Sequence, residues 1–286
     1  MEQNMTMVTI KEMFDKLSNK DVIKERIADC SVALVRITVE GKRHKASFAA
    51  SGTFVEIASK KGILTASHVV KKILAESSQF ALSIQQRTHH FAIRREEVHV
   101  IEVPKPDKHA KGPDLAFVLF LRQDQVDTIQ THKYFLNLDK RRERVLSEPL
   151  PTAVGFWIVS GHPAAYSTSE AVPAEHVDVK HFPNNLSIGG IEREYTEKGL
   201  DYMESEVDHA SGGGVPEDLC GLSGGGLWQV PVSQLKDGQT KADDPILLGV
   251  AFWQTGVSQG KSKVICHGRQ SIYVVLYDLV AREYSH

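Results

Sequence analysis

Three cysteines in 286 residues, Cys30, Cys220 and Cys266, are too few and too uneven in number for a disulfide framework. No Cys-x-x-Cys or His-x-x-x-His spacing accompanies them, and the adjacent pair Cys266-His267 is too small a ligand set, so neither a metal nor an organic cofactor is expected. Long apolar runs are missing too. No stretch approaches the roughly 20 apolar residues of a membrane-spanning helix, and the opening segment carries Glu2, Lys11, Glu12, Asp15 and Lys16 where a secretory signal would be apolar. A cytoplasmic location and no membrane partner are the expectations. Charge of one sign is also lacking. The net charge is −2, and the basic runs Arg94-Arg95 and Lys140-Arg141-Arg142 are interrupted by glutamates, so they read as solvated faces and no nucleic-acid partner is expected. Gly256-Val257-Ser258-Gln259-Gly260-Lys261-Ser262 is one residue short of a phosphate-cradling loop and reads as a β-hairpin turn.

What is present is ordinary for a globular protein, at 41% hydrophobic and 24% charged residues, and the chain is long enough for one large core or two adjacent ones. Ile10, Met13, Phe14 and Leu17, then Val22, Ile23 and Ile27, recur at helical spacing, which predicts an N-terminal helical segment over residues 1–29 that pads the body of the fold. From residue 30 the period changes to two. Val35, Ile37 and Val39 alternate with polar residues, Gly52–Ile57 repeats the theme, and Ser59–Gly62 supplies a turn before Ile63-Leu64. Phe80, Leu82 and Ile84, then Val98 and Val100, add strands, and this first unit spans 30–121. The charged stretch 122–150 reads as a connection crossing the surface. A second strand set over 151–286 runs through Ala153–Val159, Val177–Val179, Tyr202–Val207, Leu227–Val230 and Ile246–Trp253. It closes on the helical stripe Ile272, Val275, Leu276, Leu279 and Val280.

Three short islands carry chemistry. Gly221-Leu222-Ser223-Gly224-Gly225-Gly226 sets one serine among glycines, where the backbone can turn sharply and aim amides at a single point. Thr65-Ala66-Ser67-His68 closes one strand-like run, and Pro113-Asp114-Leu115-Ala116 opens another. The order His68, Asp114, Ser223, with these three strings, resembles the chymotrypsin-like (trypsin-like) serine peptidases over roughly residues 30 to 280. That resemblance implies an all-β fold of two six-stranded antiparallel β-barrels with an N-terminal helical segment and a C-terminal helix. His68 and Asp114 would come from the first barrel and Ser223 from the second.

The resemblance further implies a serine endopeptidase acting on a protein or peptide substrate. Ser223 attacks the scissile carbonyl, His68 moves the proton, and Asp114 orients the imidazole. The amides of Gly221 and Ser223 form the oxyanion hole, where one lost donor costs about 2.7–4 kcal/mol of transition-state stabilisation. Glu217, six residues before the serine, stands where the family places the base of its specificity pocket, and an acid there favours a basic residue at the cleavage point. Phe252, Trp253 and Gln254 match the strand that pairs with substrate backbone; Gln254 replaces a usual glycine and would narrow or cap the pocket, with Cys220 near its rim.

One departure concerns activation. Many secreted relatives place before the serine an aspartate that pairs with a newly cut N-terminus; here that residue is Leu222, so another device must hold the oxyanion loop. A peptidase of this kind is expected to be checked by a regulatory protein partner, a ligand or limited access. Two rivals stand beside this reading. Gly221-x-Ser223-x-Gly225 also fits the nucleophile elbow of α/β-hydrolases, with Asp243, Asp244 or Asp278 and His267 or His286 downstream, but that leaves His68 and Asp114 unexplained. A catalytically silent peptide-binding protein is the non-enzymatic alternative.

Overall fold

The computed structural model describes residues 10–40, 43–75, 79–84, 90–105, 112–147, 155–172, 177–181, 185–210, 216–234 and 240–284. Helices α1 (Ile10–Asp15) and α2 (Lys20–Cys30) lead into strands β1 (Ser31–Glu40), β2 (Arg43–Ile57) and β3 (Lys60–Thr65). Helix α3 (Ser67–Ala75), strands β4 (Gln79–Ser83), β5 (His90–Arg94), β6 (Val98–Glu102) and β7 (Ala116–Phe120) follow, then α4 (Gln123–Gln130), β8 (Leu136–Asn137) and α5 (Asp139–Ser147). The second half holds β9 (Gly155–Gly161), β10 (Thr168–Val172), β11 (Val177–His181), β12 (Asn185–Gly189), β13 (Ile191–Glu197), β14 (Leu200–Asp208), β15 (Gly226–Gln234), β16 (Thr240–Ala242), β17 (Ile246–Gln254) and β18 (Lys261–His267). A π-helical turn, Ser271–Leu276, and α6 (Tyr277–Glu283) complete the order.

The protein is mostly β, with two largely antiparallel sheets, one of them a half-barrel. The first runs β5-β4-β1-β2-β3-β7-β6 and the second β12-β9-β15-β17-β18-β14-β13, with β16 beside β15. Two parallel contacts depart from the antiparallel expectation: β8 and β11 each pair with β2. The strand at Val177–Val179, expected in the second set, therefore belongs to the first sheet, where Val177 lies opposite His44 and Asp178 opposite Lys45. Alternation marks a strand but carries no information about its partner.

The hairpin before the histidine is also tighter than expected. Ala58 and Ser59, both at positive φ, make a two-residue turn, and Lys60 to Gly62 already belong to β3. Such turns usually need Asn-Gly. Here the Asp139 carboxylate accepts both turn amides, Ala58 at 2.7 Å and Ser59 at 2.8 Å, which offsets the strain of two left-handed L-residues. The expected turn at Gly256–Ser262 is present, with Gln259 and Gly260 at positive φ joining β17 to β18.

Residues 122–147 are more than a polar connection. Helical spacing buries Val126 and Ile129 on α4 and Val145 on α5, and Phe135, Leu136 and Leu138 pack between them. The larger of two apolar clusters runs from Phe14 through both sheets to Val280, and Ala33, Val35 and Ala81 form the smaller one. The N-terminal helices pack onto the body as expected. Phe14 meets Phe156 edge-on at 5.3 Å, and the Asn19 side chain pairs in both directions with the backbone of Ala242, at 2.8 and 3.0 Å. At the other end Ile272, Leu276 and Val280 are buried, and the Tyr273 hydroxyl donates to Leu247 O at 2.9 Å. Among the described residues no helix is long and apolar enough to cross a membrane.

Candidate active site

β3 delivers the chain to the site at Thr65. Its antiparallel neighbour β7 starts two residues after Asp114, with Thr65 opposite Ala116, so the strand register alone brings His68 and Asp114 together. The Asp114 carboxylate grips His68 twice: the ring Nδ1 lies 2.6 Å from Oδ2 and the backbone N–H donates to Oδ1 at 2.8 Å. Opposite a carboxylate, Nδ1 carries the ring proton, which leaves Nε2 as the basic atom. Burial pushes the Asp114 carboxyl upward, but the His68 hydrogen bonds and charge, with Lys105, outweigh it and hold the group below the usual carboxylate range. Asp114 is 5% exposed.

On its other side Asp114 is held by a residue that sequence reasoning had considered only as half of a metal pair or as an esterase base. The Asp114 backbone N–H donates at 2.9 Å to Nε2 of His267, the last residue of β18. His267 is fully buried, stacked on Phe252 at 4.4 Å and tilted against Tyr202 at 5.2 Å. Desolvation drives its pKa down to about 3 despite the raising effect of Asp114, so the ring is neutral and Nε2 accepts. Cys266 is buried beside it, with its thiol pushed far up by desolvation; the burial that suppresses its thiolate suits packing, not ligation.

Ser223 sits on a tight loop between Leu219 and the start of β15. Leu222 N–H donates to Leu219 O at 2.9 Å, Gly225 N–H to Leu222 O at 2.9 Å, and Gly224 N–H to Ala251 O at 2.7 Å. Gly221 (φ +97°) and Gly224 (φ +88°) take left-handed conformations. A Cβ on Gly224 would overlap the Ser51 carbonyl and the Thr65 hydroxyl, so glycine is required for this loop to approach β2 and β3. Contacts to Ser51 complete the mooring: its N–H donates to Ser223 O at 3.0 Å and its hydroxyl to Gly221 O at 2.6 Å. Thr65, three residues before His68, donates in turn to Ser51 O at 2.8 Å. Nothing in the sequence around Ser51 signalled this, because its partner Gly221 in the serine loop lies 170 residues away.

Among the described residues, Ser223 Oγ makes no hydrogen bond to His68, and the amides of Gly221 and Ser223 donate none. His68 and Asp114 are thus joined directly, and the Ser223 loop is tied to β2, the neighbour of β3, without a direct Ser223–His68 contact.

The expected pocket residues are arranged differently from the family pattern. Glu217 is exposed, so its carboxylate is solvated and not the desolvated base that a basic-residue preference requires. Gln254 does not cap an opening. Its side chain is spent on the loop, donating to Glu217 O at 2.7 Å and to Ser262 Oγ at 3.2 Å and accepting from Leu219 N–H at 3.0 Å. Cys220 is exposed and unbridged, with its carbonyl accepting from Ala164 N–H at 2.7 Å. Trp253 is 46% exposed, whereas Phe252 is buried under His267 and faces the core. Gly212–Gly214 lie outside the described residues. No family model and no curated protein sequence matches this chain.

Proposed function

We propose that the protein is a serine endopeptidase, its two sheets corresponding to the two six-stranded barrels of the chymotrypsin-like fold. The observation that carries this reading is the two-point grip of Asp114 on His68, beside a glycine-lined serine loop moored to Ser51 on β2, which Thr65 of the strand leading into His68 holds in turn. In this mechanism Ser223 Oγ attacks the peptide carbonyl as His68 Nε2 takes its proton. Asp114 stabilises the imidazolium, which then protonates the leaving amine, and water releases the acyl group by the same route. The tetrahedral oxyanion is met by the Gly221 and Ser223 amides. A Ser223–His68 hydrogen bond that is absent without substrate and tightens in the complex accords with how such sites behave. Free Cys30, Cys220 and Cys266 suit a reducing, cytoplasmic setting.

Labelling by a fluorophosphonate probe tests the assignment. Wild type should react, and Ser223→Ala and His68→Ala should not. Reaction that persists in His68→Ala would transfer the serine to an esterase-type arrangement. The missing Ser223–His68 contact favours one other reading, a silent peptide-binding protein, and inert wild type that still binds peptides would establish it.

A further inference from the structure

We propose that Ser51 is a positioning residue that holds the oxyanion loop in working geometry, the task Leu222 cannot perform; this rests on the serine-peptidase reading. Ser51 is fully buried at the junction of the two sheets, and its three polar groups make four hydrogen bonds there. Its hydroxyl donates to Gly221 O at 2.6 Å and accepts from His162 N–H at 2.7 Å. The roles are not interchangeable, because a carbonyl can only accept and an amide N–H can only donate. Its own N–H holds Ser223 O, and its carbonyl is held by Thr65.

The effect on the loop follows from peptide geometry. In a trans peptide the C=O and the following N–H point in opposite directions, so fixing a carbonyl aims the next amide away from it. Ala164 fixes the Cys220 carbonyl, which directs the Gly221 N–H; Gly225 fixes the Leu222 carbonyl, which directs the Ser223 N–H. Between them, Gly221 is a left-handed glycine free to rotate in both directions. Ser51 removes that freedom, pinning Gly221 O on one side of Leu222 and Ser223 O on the other. Four successive carbonyls, from 220 to 223, are thereby held, two of them by Ser51. A rotation that replaced an oxyanion amide with a carbonyl would break the Ala164–Cys220 or the Gly225–Leu222 hydrogen bond and strain the neighbouring carbonyls that Ser51 holds. Competence is built into the packed sheets and needs no cut N-terminus.

The test uses the full chain with Ser51→Ala and Ser51→Cys, the second keeping a weak donor of similar size. Active-site titration with a chromogenic ester separates the fraction of folded sites, read as burst amplitude, from the acylation rate constant. Ser51→Ala should keep the amplitude and lose roughly ten- to a hundredfold in acylation rate with KM little changed, and Ser51→Cys should fall between it and wild type. An unchanged rate, or a loss confined to amplitude, would overturn the proposal while leaving the peptidase reading intact. If wild type itself does not acylate, that reading fails, and amide exchange over residues 219–226 decides the Ser51 role alone. Faster exchange in Ser51→Ala sustains the holding role, and identical exchange ends it.

Discussion

His267→Phe probes the tie between the second sheet and Asp114. Phenylalanine keeps a ring that can stack on Phe252 but deletes the Nε2 acceptor, leaving the Asp114 N–H buried with no partner. An orphaned buried donor costs about 1–3 kcal/mol, but the substitution also removes the His267 Nδ1–H, which is itself buried without a partner among the described residues, so the two proteins should be about equally stable near pH 7.5. Acid changes the comparison, and the sign follows from proton counting. The folded-state pKa of His267, about 3, lies below the ordinary histidine value of 6.5, so between these limits the unfolded chain binds a proton that the native protein refuses. The contribution of a neutral His267 is fully present above pH 6.5 and drains away as pH falls toward 3, by about 1.4 kcal/mol per pH unit. The phenylalanine variant has no such proton. From pH 6.5 to 5 the wild type should lose about 2 kcal/mol that the variant keeps, so the variant should be the more stable of the two at pH 5. Asp114 and Lys105, the charges that act on the ring, remain in both proteins, so the difference isolates His267. Urea denaturation of both proteins near pH 7.5 and pH 5 measures it. A stability gap that stays constant with pH would refute the assignment of His267 as a buried neutral acceptor.

Three further outcomes are expected. Asp114→Asn should leave the fold intact but lower kcat by about 10⁴-fold, because an amide can present an N–H to Nδ1 and so disfavour the tautomer with a basic Nε2; steady-state kinetics check it. Gly224→Ala places a methyl against Ser51 O and Thr65 Oγ1 at a left-handed φ, and should destabilise by about 2–5 kcal/mol, read as a lowered melting temperature and lost probe labelling. Glu217→Gln should leave the ratio of Arg to Leu peptide cleavage unchanged, because a solvated carboxylate contributes little discrimination; a tenfold fall in that ratio would restore it as the pocket base.

Local pattern carried much of the architecture. The helical stripes at Phe14–Ile27 and Ile272–Val280, and the strands that carry or flank His68, Asp114 and Ser223, follow from apolar spacing, which responds to one buried face. Partnership was not legible. Val177–Val179 reads as a strand whichever sheet it joins, and only the tertiary packing sets it against His44 and Lys45. The Ala58-Ser59 turn has no glycine or asparagine to announce it, since its stabilising carboxylate, Asp139, lies about 80 residues on. Ser51 and His267 escaped for the same reason: each acts through a partner more than 150 residues distant, and neither belongs to a short motif. Glu217 follows only from counting back from Ser223, which presumes a loop length, and its side chain is exposed.

The polar bonds that shape the candidate site are also those that join the two sheets. Ser51 on β2 reaches Gly221, Ser223 and His162, all flanking strands of the second sheet. Asp114, just before β7, reaches His267 on β18. Ser31 on β1 meets Ser160 on β9, whose hydroxyl also receives the Trp228 indole N–H at 3.0 Å. Each of these groups is buried, so separating the sheets would expose or orphan all of them at once, at a cost far above that of fraying a surface loop. The geometry of the site is therefore coupled to the junction between sheets and not to the local stability of any one loop. On the serine-peptidase reading, substitutions along that junction should then change probe labelling of Ser223 before they unfold either sheet, because a displacement small for packing is large for aligned donors.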